Sequence, residues 1–362
     1  MMDQDSTTLP GYYVVSDREG IVENRHFVNA AVVDASGKLL FVLGNPSRMT
    51  LIRSGAKAMQ AIAAVESGTM EKFDFDDADL ALMCGSHNSE ARHISRAKAM
   101  LAKLQAEESD LQCCGHTPFS AAVAREWTRS GFEPSPACSA CSGNHIGVMA
   151  AAKAIGADIA DYHTLDHPVQ ARIQTIVKEV TGLGSGDVKW ALDGCNMYSP
   201  AMPLRSVAAA WAAFAKAADD VADGNGGVQT APRMKAMARI YGAMARHPEN
   251  VGGDGRFCTV LGRVYEGALV GKAGGDGCYG IAIRASEDTR RLGAEGGIGI
   301  ALKIEDGNYG IMEALASELL EQLQIGTEEV RQHLNTFHKG EIRSTNGLVT
   351  GGLSFPFKLR AV

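Results

Sequence analysis

Ser54-Gly55-Ala56-Lys57 sets a hydroxyl and an amine three residues apart at the start of an expected helix. Positions i and i+3 share a helix face, so the Lys57 amine can reach the Ser54 hydroxyl. A neutral lysine can take a serine proton, which is the Ser–Lys form of nucleophilic catalysis. The helix N-terminus favours negative charge developing nearby. A second copy of the pattern, Ser95-Arg96-Ala97-Lys98, falls inside a charged helical stretch, where a solvated face accounts for it. Ser54 has better company. Ser86-His87-Asn88 sits between two helical stretches, and Lys272-Ala273-Gly274 closes an expected strand.

A second constellation is Cys138-Ser139-Ala140-Cys141-Ser142-Gly143-Asn144-His145, together with Asp193-Gly194-Cys195. Thiolate and imidazole suit Zn²⁺. Cys141 and His145 stand i, i+4, so both can point at one ion. The plainer alternatives are buried thiols and an N-cap role for Ser142. No second Cys-x-x-Cys completes a zinc ribbon, and Cys138/Cys141 lack the βαβ context of a thioredoxin motif. His163 and His167 have no neighbouring Glu and read as no zincin site, and Gly252-Gly253-Asp254-Gly255 is no dinucleotide fingerprint. Cys113-Cys114 reads as structural, and Asp76, Asp77 and Asp79 as an acidic helix start.

The 362 residues allow two domains or one large one, and 45% hydrophobic with 21% charged residues is ordinary for a globular chain. With 35 Lys and Arg against 42 Asp and Glu, the net charge is −7, which offers no basic excess for nucleic acid or an anionic membrane. No apolar run is long enough to span a bilayer. The acidic start Met1–Ser6 does not read as a signal peptide, so a cytoplasmic setting is expected. Eight cysteines in such a chain are too sparse for a disulfide scaffold.

The elements that must position these groups come in blocks. Strands are expected at 12–15, 27–33 and 38–42, with Asp34-Ala35-Ser36-Gly37 as a hairpin turn. Helical periodicity then runs from about Ser54 to Leu261, with one expected strand at Val188–Leu192 and the clearest loop at 223–227. Strands return at 267–271, 278–283 and 297–304, followed by a helix at 309–323. This order predicts an α+β protein: one antiparallel sheet built from N- and C-terminal strands, with a helical lobe inserted. The expected division is residues 1–53 with 263–362 as a discontinuous sheet domain, and 54–262 as a mainly helical domain. A site belongs in the cleft between them.

Ser-x-x-Lys, Ser-x-Asn and Lys-x-Gly in that order are the motif set of penicillin-recognising serine enzymes. More specifically, the chain resembles the rhizobial-type L-asparaginases. The matching stretches are Arg53–Lys57, Cys84–Glu90, Cys141–His145, Asp193–Cys195, Val270–Gly274 and Gly299–Gly307. The resemblance implies a serine β-lactamase-like fold, a homodimer, a zinc, and hydrolysis of L-asparagine to L-aspartate and ammonia. It places the catalytic parts on Ser54 with Lys57 and on Ser86 with Lys272. It places substrate binding on Arg53 and Asp193, and zinc ligands on Cys141, Asn144 and Cys195. The family often has Lys where this chain has Asn144. An amide is a poor zinc ligand, so His145 is expected as the third ligand, with Cys138 a further candidate. The rival readings are another serine amidohydrolase, such as a glutaminase or β-lactamase, and a zinc-binding protein without catalysis.

Overall fold

A computed structural model describes residues 11–224 and 231–362. The acidic start Met1–Ser6 and most of the loop expected at 223–227 lie outside the described residues. In chain order the strands are β1 (Tyr13–Arg18), β2 (Ile21–Asp34), β3 (Leu39–Leu43), β4 (Met49–Leu51), β5 (Lys189–Leu192), β6 (Tyr198–Pro203), β7 (Leu269–Ala273), β8 (Cys278–Ile283), β9 (Ile298–Ile304), β10 (Ile342–Arg343), β11 (Val349–Ser354) and β12 (Arg360–Ala361).

Nine of these form one antiparallel sheet, in the order β10-β11-β1-β2-β9-β8-β7, with β3 pairing both β2 and β12. Its strands come from the two ends of the chain, and most of the residues between them are helical, so the protein is α+β. Strands β7, β8 and β9 are buried along their whole length, as expected for apolar runs covered on both faces. The expected turn after β2 forms: Asp34 Oδ1 accepts from the N–H groups of Ser36 at 2.9 Å and Lys38 at 3.0 Å. Those bonds satisfy a carboxylate that is 1% exposed.

The helix Leu204–Ala222 lies on β9, β8 and β2 with Val207, Ala208, Trp211, Phe214 and Ala215 inward, a stripe at helical spacing. Two glycines let it lie this close. A Cβ on Gly299 would sit 1.9 Å from the Ala208 carbonyl oxygen, and one on Gly280 would sit 1.8 Å from the Trp211 indole nitrogen. Gly299→Val is therefore expected to cost about 1–3 kcal/mol or more through overpacking. Urea denaturation checks this, and an unchanged midpoint would contradict the close packing.

Three departures from the sequence reading bear on the site. The helix expected from Ser54 begins instead at Lys57, because Arg53–Ala56 forms a 3₁₀ turn in which the Gly55 N–H donates to the Ile52 carbonyl at 2.9 Å. The middle of the chain also holds a small sheet, β4-β6-β5, which braces that turn through Ile52 N–H to Pro200 O at 3.2 Å. Strands β10 to β12 were not expected; β11 carries Gly351 and Gly352 and no buried residue. The acidic cluster does cap a helix: Asp76 Oδ1 accepts from Asp79 N–H at 2.7 Å. None of the described helices is long and apolar enough to cross a membrane.

Candidate active site

A cleft of about 570 Å³ opens beside the sheet, lined by Ser54, Ser86, Cys141, Asp193, Cys195 and the Gly274–Asp276 turn among others. It gathers residues from five of the six matching stretches, all but Gly299–Gly307. Ser54 comes from the 3₁₀ turn before the helix Lys57–Glu66. Ser86 comes from the loop after the helix Asp77–Met83, and Lys272 from the sheet-edge strand β7.

Ser86 is the hub. Its Oγ lies 2.9 Å from Lys272 Nζ and 3.1 Å from Lys57 Nζ. Both amines are buried and bond backbone carbonyls as well: Lys57 donates to Gly85 O and Lys272 to Ala273 O, each at 2.6 Å. Burial, helped by the neighbouring Lys57 charge, pushes Lys272 down from 10.5 to about 7. A lysine so placed is a neutral base in a fair fraction of molecules at neutral pH. The expected Ser54–Lys57 contact is not made among the described residues. The Lys57 amine reaches the Ser86 loop instead, bonding Gly85 O and Ser86 Oγ. Ser54 faces the same cleft, half-buried.

The Ser86 loop is pinned on both sides. Ser86 N–H donates to Val251 O at 2.8 Å, His87 N–H to Ala140 O at 3.1 Å, and Ser89 Oγ to Cys138 O at 2.7 Å. His87 is fully buried, accepts from Ser89 N–H at Nδ1 and pairs with Ser142 Oγ at 2.9 Å through Nε2. Burial holds it well below the usual histidine range, so it is a neutral strut. Ser142 accordingly does not act as an N-cap: it is the first residue of the helix Ser142–Ala154, and Cys141 precedes it as the cap. Arg53 and Ser89 both adopt left-handed φ, +48° and +58°. Such backbone is uncommon outside glycine and concentrates at functional sites.

At the Arg53 side, Asp193 Oδ1 accepts from Arg53 Nε at 2.8 Å and from Gly194 N–H at 2.6 Å. Arg53 Nη1 also pairs with Asp276. The guanidinium is thus held between two carboxylates, while Asp193 Oδ2 makes no hydrogen bond among the described residues.

Cys141 and Cys195 are coupled: the neighbouring Cys195 thiol lowers that of Cys141, with Lys57 adding to the effect, and Cys141 raises that of Cys195. His145 packs beside the pair, against the Cys195 backbone. Its Nδ1 bonds Tyr162 Oη at 2.6 Å, and burial pushes its ring down to about 3. Its Nε2 is a buried nitrogen with no hydrogen-bond partner among the described residues. Among the described residues, no three His, Cys, Asp or Glu side chains converge to hold a metal. Of the donors expected for Zn²⁺, the two thiols couple to each other, and His145 beside them has Nδ1 taken by Tyr162 and Nε2 without a partner among the described residues. Asn144 lines a small cavity with Cys195, Asp193 and Lys57, whereas Cys138 pairs with Ser135.

The sequence reading missed several cleft residues. Cys113 and Cys114, read as structural, line the cleft, as do His116, Phe119, Arg256 and Tyr309. Arg256 follows the glycine run weighed only as a nucleotide loop. Its neighbour Asp254 and that run were the one local sign that backbone there approaches another segment. By contrast, Ser95 and Lys98 lie on an exposed helix face, as expected.

An α+β protein that buries two lysines against one serine at the edge of a cleft has the parts of an amide-cleaving hydrolase. The L-asparaginase II family model matches residues 14–355, and the chain belongs to that family. None of the curated proteins matches it.

Proposed function

We propose that the protein is an L-asparaginase that hydrolyses L-asparagine to L-aspartate and ammonia through an acyl-serine. Family membership supports the substrate class. The observation that carries the mechanism is the Ser86 hydroxyl between Lys57 and a Lys272 that titrates near 7. Ser54 attacks the side-chain amide carbon. Its proton passes through Ser86 to neutral Lys272, and the lysines return it to the departing ammonia. Water, activated by the same base, then hydrolyses the acyl-Ser54 ester. Asp193 Oδ2 takes the α-ammonium, and Arg53 holds Asp193 in place. A second reading makes Ser86 itself the nucleophile; the 2.9 and 3.1 Å contacts to two amines favour it.

Ammonia release by the purified protein tests the proposal. L-asparagine is expected to turn over, L-glutamine weakly, and the β-lactam nitrocefin negligibly. One methylene gives only about 1–3 kcal/mol of discrimination, so some glutaminase activity is compatible with the reading. No ammonia from L-asparagine would end it.

The proposal includes a serine β-lactamase-like fold, with residues 1–53 and 263–362 as sheet domain and 54–262 as helical domain, and a homodimer. The sheet built from both chain ends supports the first. Light scattering on a sized column tests the second. It also includes Zn²⁺ at Cys141 and Cys195, where a bound ion would supply a Lewis-acidic anchor beside Asp193. Metal analysis should find about one zinc per chain. Cys141→Ala or Cys195→Ala should lower it, and His145→Ala tests the expected third ligand. A metal-free protein after purification in zinc would remove the ion from the proposal.

A further inference from the structure

An asparagine site needs a cation for the α-carboxylate, and Arg53 is poorly free to serve. Its fork is already engaged by Asp193 and Asp276. The other cationic side chains near the cleft are committed too. Lys57 and Lys272 are bonded to Ser86 and to backbone carbonyls. His116 accepts from Ala140 N–H at Nε2 and bonds the Thr117 carbonyl through Nδ1, which is the pattern of a neutral ring.

Arg256 differs. It lines the same cleft, and among the described residues no carboxylate lies within 4.0 Å of it. Its guanidinium carbon lies 4.6 Å from the centre of the Phe119 ring and 5.3 Å from that of Tyr309. Nη2 donates to Tyr309 Oη at 2.6 Å, and Nη1 reaches Asn88 Oδ1 at 3.4 Å. Glu313 acts on it only through space, and burial pushes that carboxyl up to about 7. An arginine stays charged, and a charge this far out of water is normally paired. Two aromatic faces hold the plane of the guanidinium, and only neutral oxygens touch it. That leaves a pre-oriented fork without its anion, the arrangement that recognises carboxylates. Asn88 is two residues from Ser86 on the same pinned loop, so the fork is tied to the reacting centre.

We infer that Arg256, and not Arg53, binds the α-carboxylate of the substrate, with Phe119 and Tyr309 holding the guanidinium in plane. This rests on the asparaginase reading and adds its missing contact. The amino acid then spans the cleft with its carboxylate on Arg256, its ammonium on Asp193 and its side-chain amide at the serines.

Calorimetric titration separates this inference from the reading beneath it. The ligands are L-aspartate and L-isoasparagine, which differ only in that the second carries an amide in place of the α-carboxylate. Wild-type protein should bind L-aspartate roughly 100-fold more tightly, the scale of a lost buried charge pair. Arg256→Gln should erase that preference by weakening L-aspartate alone, Arg256→Lys should keep part of it, and Arg53→Gln should leave the preference standing. Equal binding of the two ligands by wild type overturns the inference. So does an Arg256→Gln protein that weakens both equally, or a preference that vanishes with Arg53→Gln. Ammonia release from L-asparagine by wild type is scored separately. Its absence would defeat the asparaginase reading, while the titration still decides what Arg256 binds.

Discussion

Ser54→Ala is expected to reduce ammonia release from L-asparagine by on the order of 10⁴-fold or more, as loss of a serine nucleophile does elsewhere. Ser54 faces the cleft, and among the described residues no lysine is bonded to it, so its hydroxyl can turn toward a carbonyl. Ser86 has the opposite character. It is 9% exposed and held between two amines, which suits a group that passes protons on. Ser86→Ala should therefore slow turnover by roughly 10²- to 10⁴-fold, the range of a lost acid–base partner. It should not remove the covalent step. Mass spectrometry of quenched protein decides the roles. In Ser86→Ala, slow deacylation should leave an aspartyl group mapped to Ser54. An acyl group on Ser86 in wild type, with none on Ser54, would establish the second reading, in which Ser86 attacks and Lys272 is its direct base.

How far the sequence reaches toward this site follows from how each part is encoded. Ser54, Ser86, Cys141, Asp193, Cys195 and Lys272 stand in short local patterns, and all six meet in or beside one cleft. That Lys57 bonds Ser86 and not Ser54 was not legible in the spacing, because it depends on the Ser86 loop, which Val251 and Ala140 hold within reach of the amine. Arg256 was not legible either. Its role comes from Phe119, Asn88 and Tyr309, which are single residues on three separate segments with no common spacing. The same division holds for the fold. Strands β7 to β9 are largely apolar runs, broken by the single lysines Lys272 and Lys303, and announce themselves, while β11 is partly exposed and defined only by its pairing with β1 and β10. The helix Leu204–Ala222 was plain from its stripe, but its landing on Gly280 and Gly299 needed the sheet register, which sets those glycines beneath it.

Lys272→Met should produce an inactive protein that is more stable than wild type at neutral pH. Lys272 is 0% exposed, and burial pushes it from 10.5 to about 7. At one pKa unit per 1.36 kcal/mol, keeping this amine out of water costs the fold on the order of 4 kcal/mol at pH 7. Losing the bonds to Ser86 and Ala273 returns about 1–3 kcal/mol of that, so the net gain from methionine is about 2 kcal/mol. The sign with pH is fixed by which state binds the proton more tightly. The unfolded chain keeps the ordinary lysine value, so between about 7 and 10.5 it holds more protons than the folded chain. Wild-type stability from this group rises with pH across that window. Below about 7 the cost is felt in full, and above 10.5 both states are neutral and it disappears. Urea denaturation at pH 6.5 and pH 10 should thus show the advantage of Lys272→Met shrinking as pH rises. Loss of the same proton also favours catalysis. The base must be neutral, so wild-type kcat/KM should climb through about pH 7 and level off above it. A stability difference that does not change with pH, or a rate that climbs only near the ordinary lysine value, would show that Lys272 is not the depressed base. The two measurements share one titration, and they should report the same midpoint at the low-pH end.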